Sequence, residues 1–131
     1  MLDTNMCIYL MRNQPEQVAR RFEQCCVGEV IISSITYCEL QYGIVASETP
    51  ERDAVALAAL TELIGVAPPG KETGMRYGPI RLATRERKSD MLDKLIAAHA
   101  TALDVPLVTN DVKGFSNLHG LQVQNWLELA A

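Results

Sequence analysis

Asp93-Lys94-Leu95-Ile96-Ala97-Ala98-His99-Ala100-Thr101-Ala102-Leu103-Asp104-Val105-Pro106-Leu107-Val108-Thr109-Asn110-Asp111 sets a helix, a strand and a carboxylate in a row. Leu92, Leu95, Ile96, His99 and Leu103 recur at helical spacing. Val105 to Thr109 is a β-type run whose proline stands near its start, where a missing donor is tolerated. Asp111 follows two residues past Thr109. In open parallel sheets ligands bind beyond the carboxyl ends of the strands, so an acid at that point is a candidate site residue.

The same alternation extends in both directions. Met1 to Asp3 ends a strand abruptly, and a helix is expected over Asn5 to Arg12. Pro15 suits a first helical turn, and Val18, Phe22 and Cys25 or Cys26 continue a second helix. Val30-Ile31-Ile32-Ser33 is a continuous β-branched run of the kind buried on both faces, with a helix from Ile35 to Ala46 after it. Pro50 opens another helix whose apolar stripe, Val55, Leu57, Ala58, Leu60 and Leu63, ends at Gly65. Val66-Ala67 reads as a brief strand before the turn Pro68-Pro69-Gly70. Thr73 to Arg87 reads as helix, weakened by Gly74, Gly78 and Pro79, and Ser89 or Asp90 caps the helix that runs through Leu103. A loop from Asn110 and a strand at Leu121 to Val123 complete the chain. The expected architecture is α/β, a sandwich around a mostly parallel central sheet, in one domain spanning residues 1–131.

Composition agrees with a globular protein: of 131 residues, 48% are hydrophobic and 21% charged, which excludes disordered and fibrous classes. The apolar stretch Ala54 to Leu60 is far short of the roughly 20 residues that span a bilayer, and no leader-like order opens the chain. A cytoplasmic location without membrane association is expected. Cys7, Cys25, Cys26 and Cys38 match neither a zinc site nor a redox motif and read as reduced thiols.

Four acids fall at one edge of the expected sheet. Asp3 and Asp111 lie at strand ends, Glu39 just over one turn into a helix, and Asp93 at the start of another. Each alone has a structural explanation. Asp3 suits an N-cap, Thr36-x-x-Glu39 and Asp90-x-x-Asp93 resemble capping boxes, and Asn110-Asp111 suits a turn. Together they suggest one crevice of hard oxygen donors suited to Mg²⁺ or Mn²⁺. Such ions ease deprotonation of water and neutralise the charge that gathers on a phosphodiester in hydrolysis, with no nucleophilic side chain required.

Met1 to Asn5, Ile32 to Gly43, Asp93 to Ala100 and Leu107 to Asp111, followed by Phe115, closely resemble the motifs of a PIN domain of the VapC toxin family, in order and at the usual spacing. The resemblance implies a PIN-like three-layer α/β/α sandwich and a metal-dependent endoribonuclease that cleaves single-stranded RNA, often within a tRNA. It assigns the four catalytic acids to Asp3, Glu39, Asp93 and Asp111. Of these, Asp3, Asp93 and Asp111 hold metal, Glu39 acts through a bound water, and Asn5, Ser34 and Thr109 orient the carboxylates. It also implies a VapB-like antitoxin whose arginine enters the acidic crevice, and promoter DNA bound only through that antitoxin. Separately, the apolar content of the helices at Ile35 to Ala46 and Pro50 to Leu63 either leaves room for a homodimer face or is all core. The chain departs from the family in having only Met1 and Leu2 before the first acid, and in placing Asp90 where glycine is common.

A net charge of -4 argues at first against an RNA substrate. The total comprises 12 basic and 16 acidic residues, so setting aside the four site acids leaves 12 against 12, and two Mg²⁺ would cancel the remainder. Arg76, Arg81, Arg85, Arg87, Lys88 and Lys94 crowd the approach to Asp93, either as a solvated helix face or as a phosphate-guiding flank. His99 is expected in the core, His119 has no assigned role, and Trp126 and Tyr42 are expected to pack. Two rivals remain. An aspartyl-phosphate phosphatase would need an acid where Asn5 stands, and a catalytically silent PIN-fold binding module would act only through its protein partner.

Overall fold

The computed structural model describes residues 1–87, 91–115, 118 and 120–128. Lys88, His119 and the cap at Ser89 or Asp90 lie outside the described residues. The element order is α1 (Thr4–Arg12), α2 (Glu16–Glu23), β1 (Ile31–Ser33), α3 (Ser34–Val45), α4 (Pro50–Leu63), β2 (Gly65–Ala67), α5 (Lys71–Ala83), α6 (Met91–Leu103), β3 (Leu107–Val108), α7 (Val112–Phe115) and β4 (Val123–Gln124).

β1 pairs with β2 and β3 with β4, both in parallel. The N-terminal segment joins the two pairs. Leu2 N–H donates to the Ile31 carbonyl at 3.0 Å, while Asp3 N–H donates to the Val108 carbonyl at 3.0 Å and Val108 N–H to the Met1 carbonyl at 2.8 Å. The three residues Met1 to Asp3 thus stand at the centre of the layer, hydrogen-bonded on both sides, which anchors Asp3 although only two residues precede it.

Alternation of side chains then builds two cores. Leu2, Ile32 and Val108 face one way, into a cluster with Met6, Leu40, Leu57 and Trp126. Met1 and Leu107 face the other way, into a cluster with Ile80, Ile96, Ala97, Ala100 and Phe115. Because successive strand residues point to opposite faces, one central layer serves helices on both sides, as the expected three-layer sandwich requires.

Several expectations need correction. The stripe on α4 is narrower than its apolar content suggests: Leu57 and Leu60 are buried, whereas Val55 and Leu63 are exposed. Tyr42 does not pack, being 74% exposed. α5 begins at Lys71 and stops at Ala83, with Thr84 as its C-cap, so Arg85 to Arg87 are not helical. Val112 to Phe115 form a short helix where only a loop was expected. Thr36 is inside α3 and fully buried, because Ser33 takes the N-cap and accepts from Ile35 N–H at 3.1 Å.

The Ser33 hydroxyl also meets His99 Nδ1 at 2.8 Å, tying the start of α3 to the middle of α6. Burial holds His99 below the ordinary histidine pKa, against the opposing pull of the Pro68 carbonyl, so the ring is neutral near pH 7. His99 is 1% exposed, as expected for a core histidine. Ser33→Ala removes a cap and leaves a buried ring nitrogen without its partner, and should cost about 2–4 kcal/mol in denaturant unfolding. A loss below about 0.5 kcal/mol would contradict this role.

Candidate active site

Asp3 ends the central segment and caps α1, its Oδ1 accepting from Met6 N–H at 2.9 Å. The capping explanation for this acid is therefore correct, but it does not exhaust the side chain. The Thr109 hydroxyl also donates to the Asp3 carboxylate, and the same Thr109 oxygen accepts from Asp111 N–H at 3.0 Å. Thr109 is fully buried at the end of β3, next to the central segment. One hydroxyl thus links the acids at two strand ends.

Glu39 reaches the group from α3, where Thr4 Oγ1 donates to its Oε1 at 2.8 Å. Asp111 is held on its far side by Gly114, whose N–H donates to Oδ1 at 3.1 Å. A Cβ at Gly114 would lie 2.3 Å from Asp111 Oδ2, so any side chain there must displace the carboxylate. Asp93, in the first turn of α6, shares with Asp111 a cavity of about 20 Å³, room for roughly one water molecule.

The electrostatics follow from this crowding. Burial is the largest influence on Asp3 and raises its pKa above the ordinary value; the negative charges of Asp111 and Glu39 raise it further, while the hydrogen bonds from Thr109 and Met6 oppose the rise. Two carboxylates about 5 Å apart repel by roughly 3 kcal/mol at an effective dielectric near 20. An all-carboxylate set of hard oxygens suits Mg²⁺ or Mn²⁺ in donor type. Among the described residues, no three acid, histidine or cysteine side chains are already assembled to hold one ion.

The expected supporting residues divide. Thr109 bridges two acids, whereas the Ser34 hydroxyl donates to the Ala67 carbonyl at 3.4 Å and Asn5 is exposed. Thr4 and Gly114 were not anticipated. A threonine directly after Asp3 was a usable signal for the first; nothing local marks the second. The basic flank also divides: Arg76, Arg81 and Arg85 are exposed, but Lys94 is 5% exposed with its ammonium on the Thr84 and Arg87 carbonyls. Lys94 therefore belongs to neither a solvated face nor a phosphate-guiding one. A groove of about 680 Å³ between α1, α3 and α4 is lined by Met11, Arg12, Glu39, Leu40, Ile44 and Arg52.

Because the folded pKa of Asp3 is raised, the folded state holds the extra proton between the unfolded value of 3.8 and the raised one. Stability therefore increases as pH falls through that window, and the cost of the charge is carried above it. Asp3→Asn keeps the capping oxygen and removes the charge. In metal-free protein it should raise Tm by several degrees at pH 7, with the gain shrinking as pH is lowered toward 3.8; a lowered Tm at pH 7 would contradict the assignment.

Comparison with known proteins extends these observations over the whole chain. The PIN domain family model matches residues 1–121. The chain is 37% identical over 129 residues to ribonuclease VapC1 of Haemophilus influenzae, covering 96% of each chain. It is 35% identical over 128 residues to the tRNA(fMet)-specific endonuclease VapC of Shigella flexneri, again covering 96% of each. Among solved structures, it superposes on a chain of VapBC2 from Rickettsia felis bound to a DNA fragment from their promoter with a TM-score of 0.87 and 31% identity, covering 96% of this chain and 97% of that one. With a central layer that carries Asp3 and Asp111 to the same edge and this full-length similarity, the chain belongs to the PIN-domain family, in its VapC branch.

Proposed function

We propose that this protein is a divalent-metal-dependent endoribonuclease toxin, acting on single-stranded RNA within a tRNA and neutralised by a VapB-like antitoxin. The observation that carries the reading is that the charges of Glu39 and Asp111, from distant parts of the chain, both act on the buried Asp3 carboxylate. The names of its relatives, a ribonuclease and a tRNA(fMet)-specific endonuclease, support the reaction and the substrate class.

In this reading Asp3, Asp93 and Asp111 hold Mg²⁺ or Mn²⁺, and Glu39 acts through water. The bound ion supplies Lewis-acid stabilisation and eases the loss of a proton from water. The chain's own part is orientation. Thr109 fixes Asp3 and Asp111 relative to one another, Thr4 fixes Glu39, and the Met6 N–H prevents Asp3 from turning away. Exposed Arg76, Arg81 and Arg85 offer cationic contacts to the RNA backbone.

The antitoxin partner is supported by the VapBC complexes among the solved structures, one of them bound to promoter DNA. Here the groove between α1, α3 and α4 is the proposed seat of the antitoxin chain, since Glu39 lines it and offers a carboxylate to an incoming arginine. Promoter DNA is contacted through the antitoxin. Exposed Tyr42 and Val45 on α3 and Val55 and Leu63 on α4 leave apolar surface for a homodimer. No described helix is long and apolar enough to cross a membrane, which suits the proposed cytoplasmic location. One PIN domain over residues 1–131 accounts for the chain.

Asp93→Asn should lower the rate of RNA cleavage by more than about a hundredfold while the protein still binds its antitoxin. Mapping 5′ ends in total RNA after brief induction of each form is the measurement. The same new ends from both forms would contradict the role of Asp93, and wild-type protein producing no new ends would favour the catalytically silent binding module instead.

A further inference from the structure

We propose that Arg87 and Lys94 are positioning residues that lock Asp111 and Asp93 together across the gap between α5 and α6. The inference rests on the assignment of those acids to a metal site. Arg87 is partly buried and its Nη1 donates to the Gly114 carbonyl at 2.8 Å. Gly114 in turn donates its N–H to Asp111 Oδ1 and packs so closely that not even a Cβ fits between them. The guanidinium therefore restrains the single short turn of α7 that fixes the Asp111 carboxylate, an otherwise exposed side chain.

Lys94 completes the connection from the other end. It directly follows Asp93, and its ammonium donates to the Thr84 carbonyl at 2.8 Å and the Arg87 carbonyl at 2.5 Å. Among the described residues no carboxylate lies within ion-pair distance of Lys94. A buried ammonium without a counter-charge is costly unless hydrogen bonds replace its water. Here the acceptors are carbonyls just past the C-terminal end of α5, where a cation is favoured. Arg87 is thus gripped by its backbone from Asp93's neighbour while its side chain grips Asp111's neighbour. Thr84, Arg87, Lys94 and Gly114 line the same small cavity as the two acids, so the brace encloses the space between them.

The test compares wild type with Arg87→Gln and Arg87→Lys. Three quantities decide it: exchange of the Gly114 amide by NMR in metal-free protein, Mn²⁺ affinity by calorimetry, and RNA cleavage against Mn²⁺ concentration. For Arg87→Gln we expect faster Gly114 exchange, Mn²⁺ affinity lowered about tenfold or more, and a Tm within about 3 °C of wild type. Saturating Mn²⁺ should restore the cleavage rate to within about threefold, and Arg87→Lys should recover part of the affinity. Unchanged Gly114 exchange and Mn²⁺ affinity would overturn the proposal, as would an affinity loss that merely tracks a falling Tm. A rise confined to KM for RNA, with metal dependence unaltered, would overturn it too by making Arg87 a substrate contact. If wild-type protein binds no Mn²⁺, the metal assignment fails, while Gly114 exchange in the metal-free protein still decides whether the brace exists.

Discussion

The burial of the Asp3 carboxylate beside the charges of Asp111 and Glu39 is the constraint to which the surrounding structure answers. Asp3 is nearly buried, and its environment favours the protonated form first through lost hydration and then through the charges of Asp111 and Glu39. The fold holds it there with strong local bonds: backbone hydrogen bonds to β3, the Met6 N–H on its side chain and the buried Thr109 hydroxyl. None of these neutralises the group as a whole. In the proposed reading a cation would do so without moving any of them, which would make an acidic protein compatible with a polyanionic substrate.

Two consequences follow for the architecture. The central layer must deliver two strand ends to the same edge, and the short segment Met1 to Asp3, hydrogen-bonded on both sides, does this with very few residues. Contacts around the acids then hold them in place. Thr4 reaches Glu39, and Gly114 closes on Asp111 with Arg87 behind it. Positioning in this protein lies with the residues one step removed from the acids.

How much of this can be read from sequence depends on whether the cause is periodic or individual. Alternation of β-branched runs with helical spacing made the α/β sandwich legible, and Leu2, Ile32 and Val108 against Met1 and Leu107 show why: side-chain direction is fixed by backbone geometry alone. The four acids stand out in the sequence by their expected places at one edge; in the structure the charges of Glu39 and Asp111 act on Asp3, and Asp93 shares a small cavity with Asp111. Their holders do not stand out in the sequence. Lys94 looks like surface on composition because a lysine is rarely buried, and the Thr84 and Arg87 carbonyls beyond α5 make its burial tolerable. Thr36-x-x-Glu39 imitates a capping box, but the strand ends one turn earlier than that pattern assumes and Ser33 takes the role. The Val112 to Phe115 turn was invisible because four residues including a glycine carry no period. Tyr42 shows the remaining limit: an aromatic residue on an otherwise apolar helix faces outward when its helix has a second surface.

The central claim, that this acidic crevice is incomplete without a cation, is tested most directly by thermal unfolding of the wild-type protein as Mn²⁺ is added at pH 7. Binding to the folded state alone should raise Tm progressively, reaching about 2.7 kcal/mol of added stability at a hundred times the dissociation constant. A Tm that stays flat from metal-free buffer to millimolar Mn²⁺ would contradict the account.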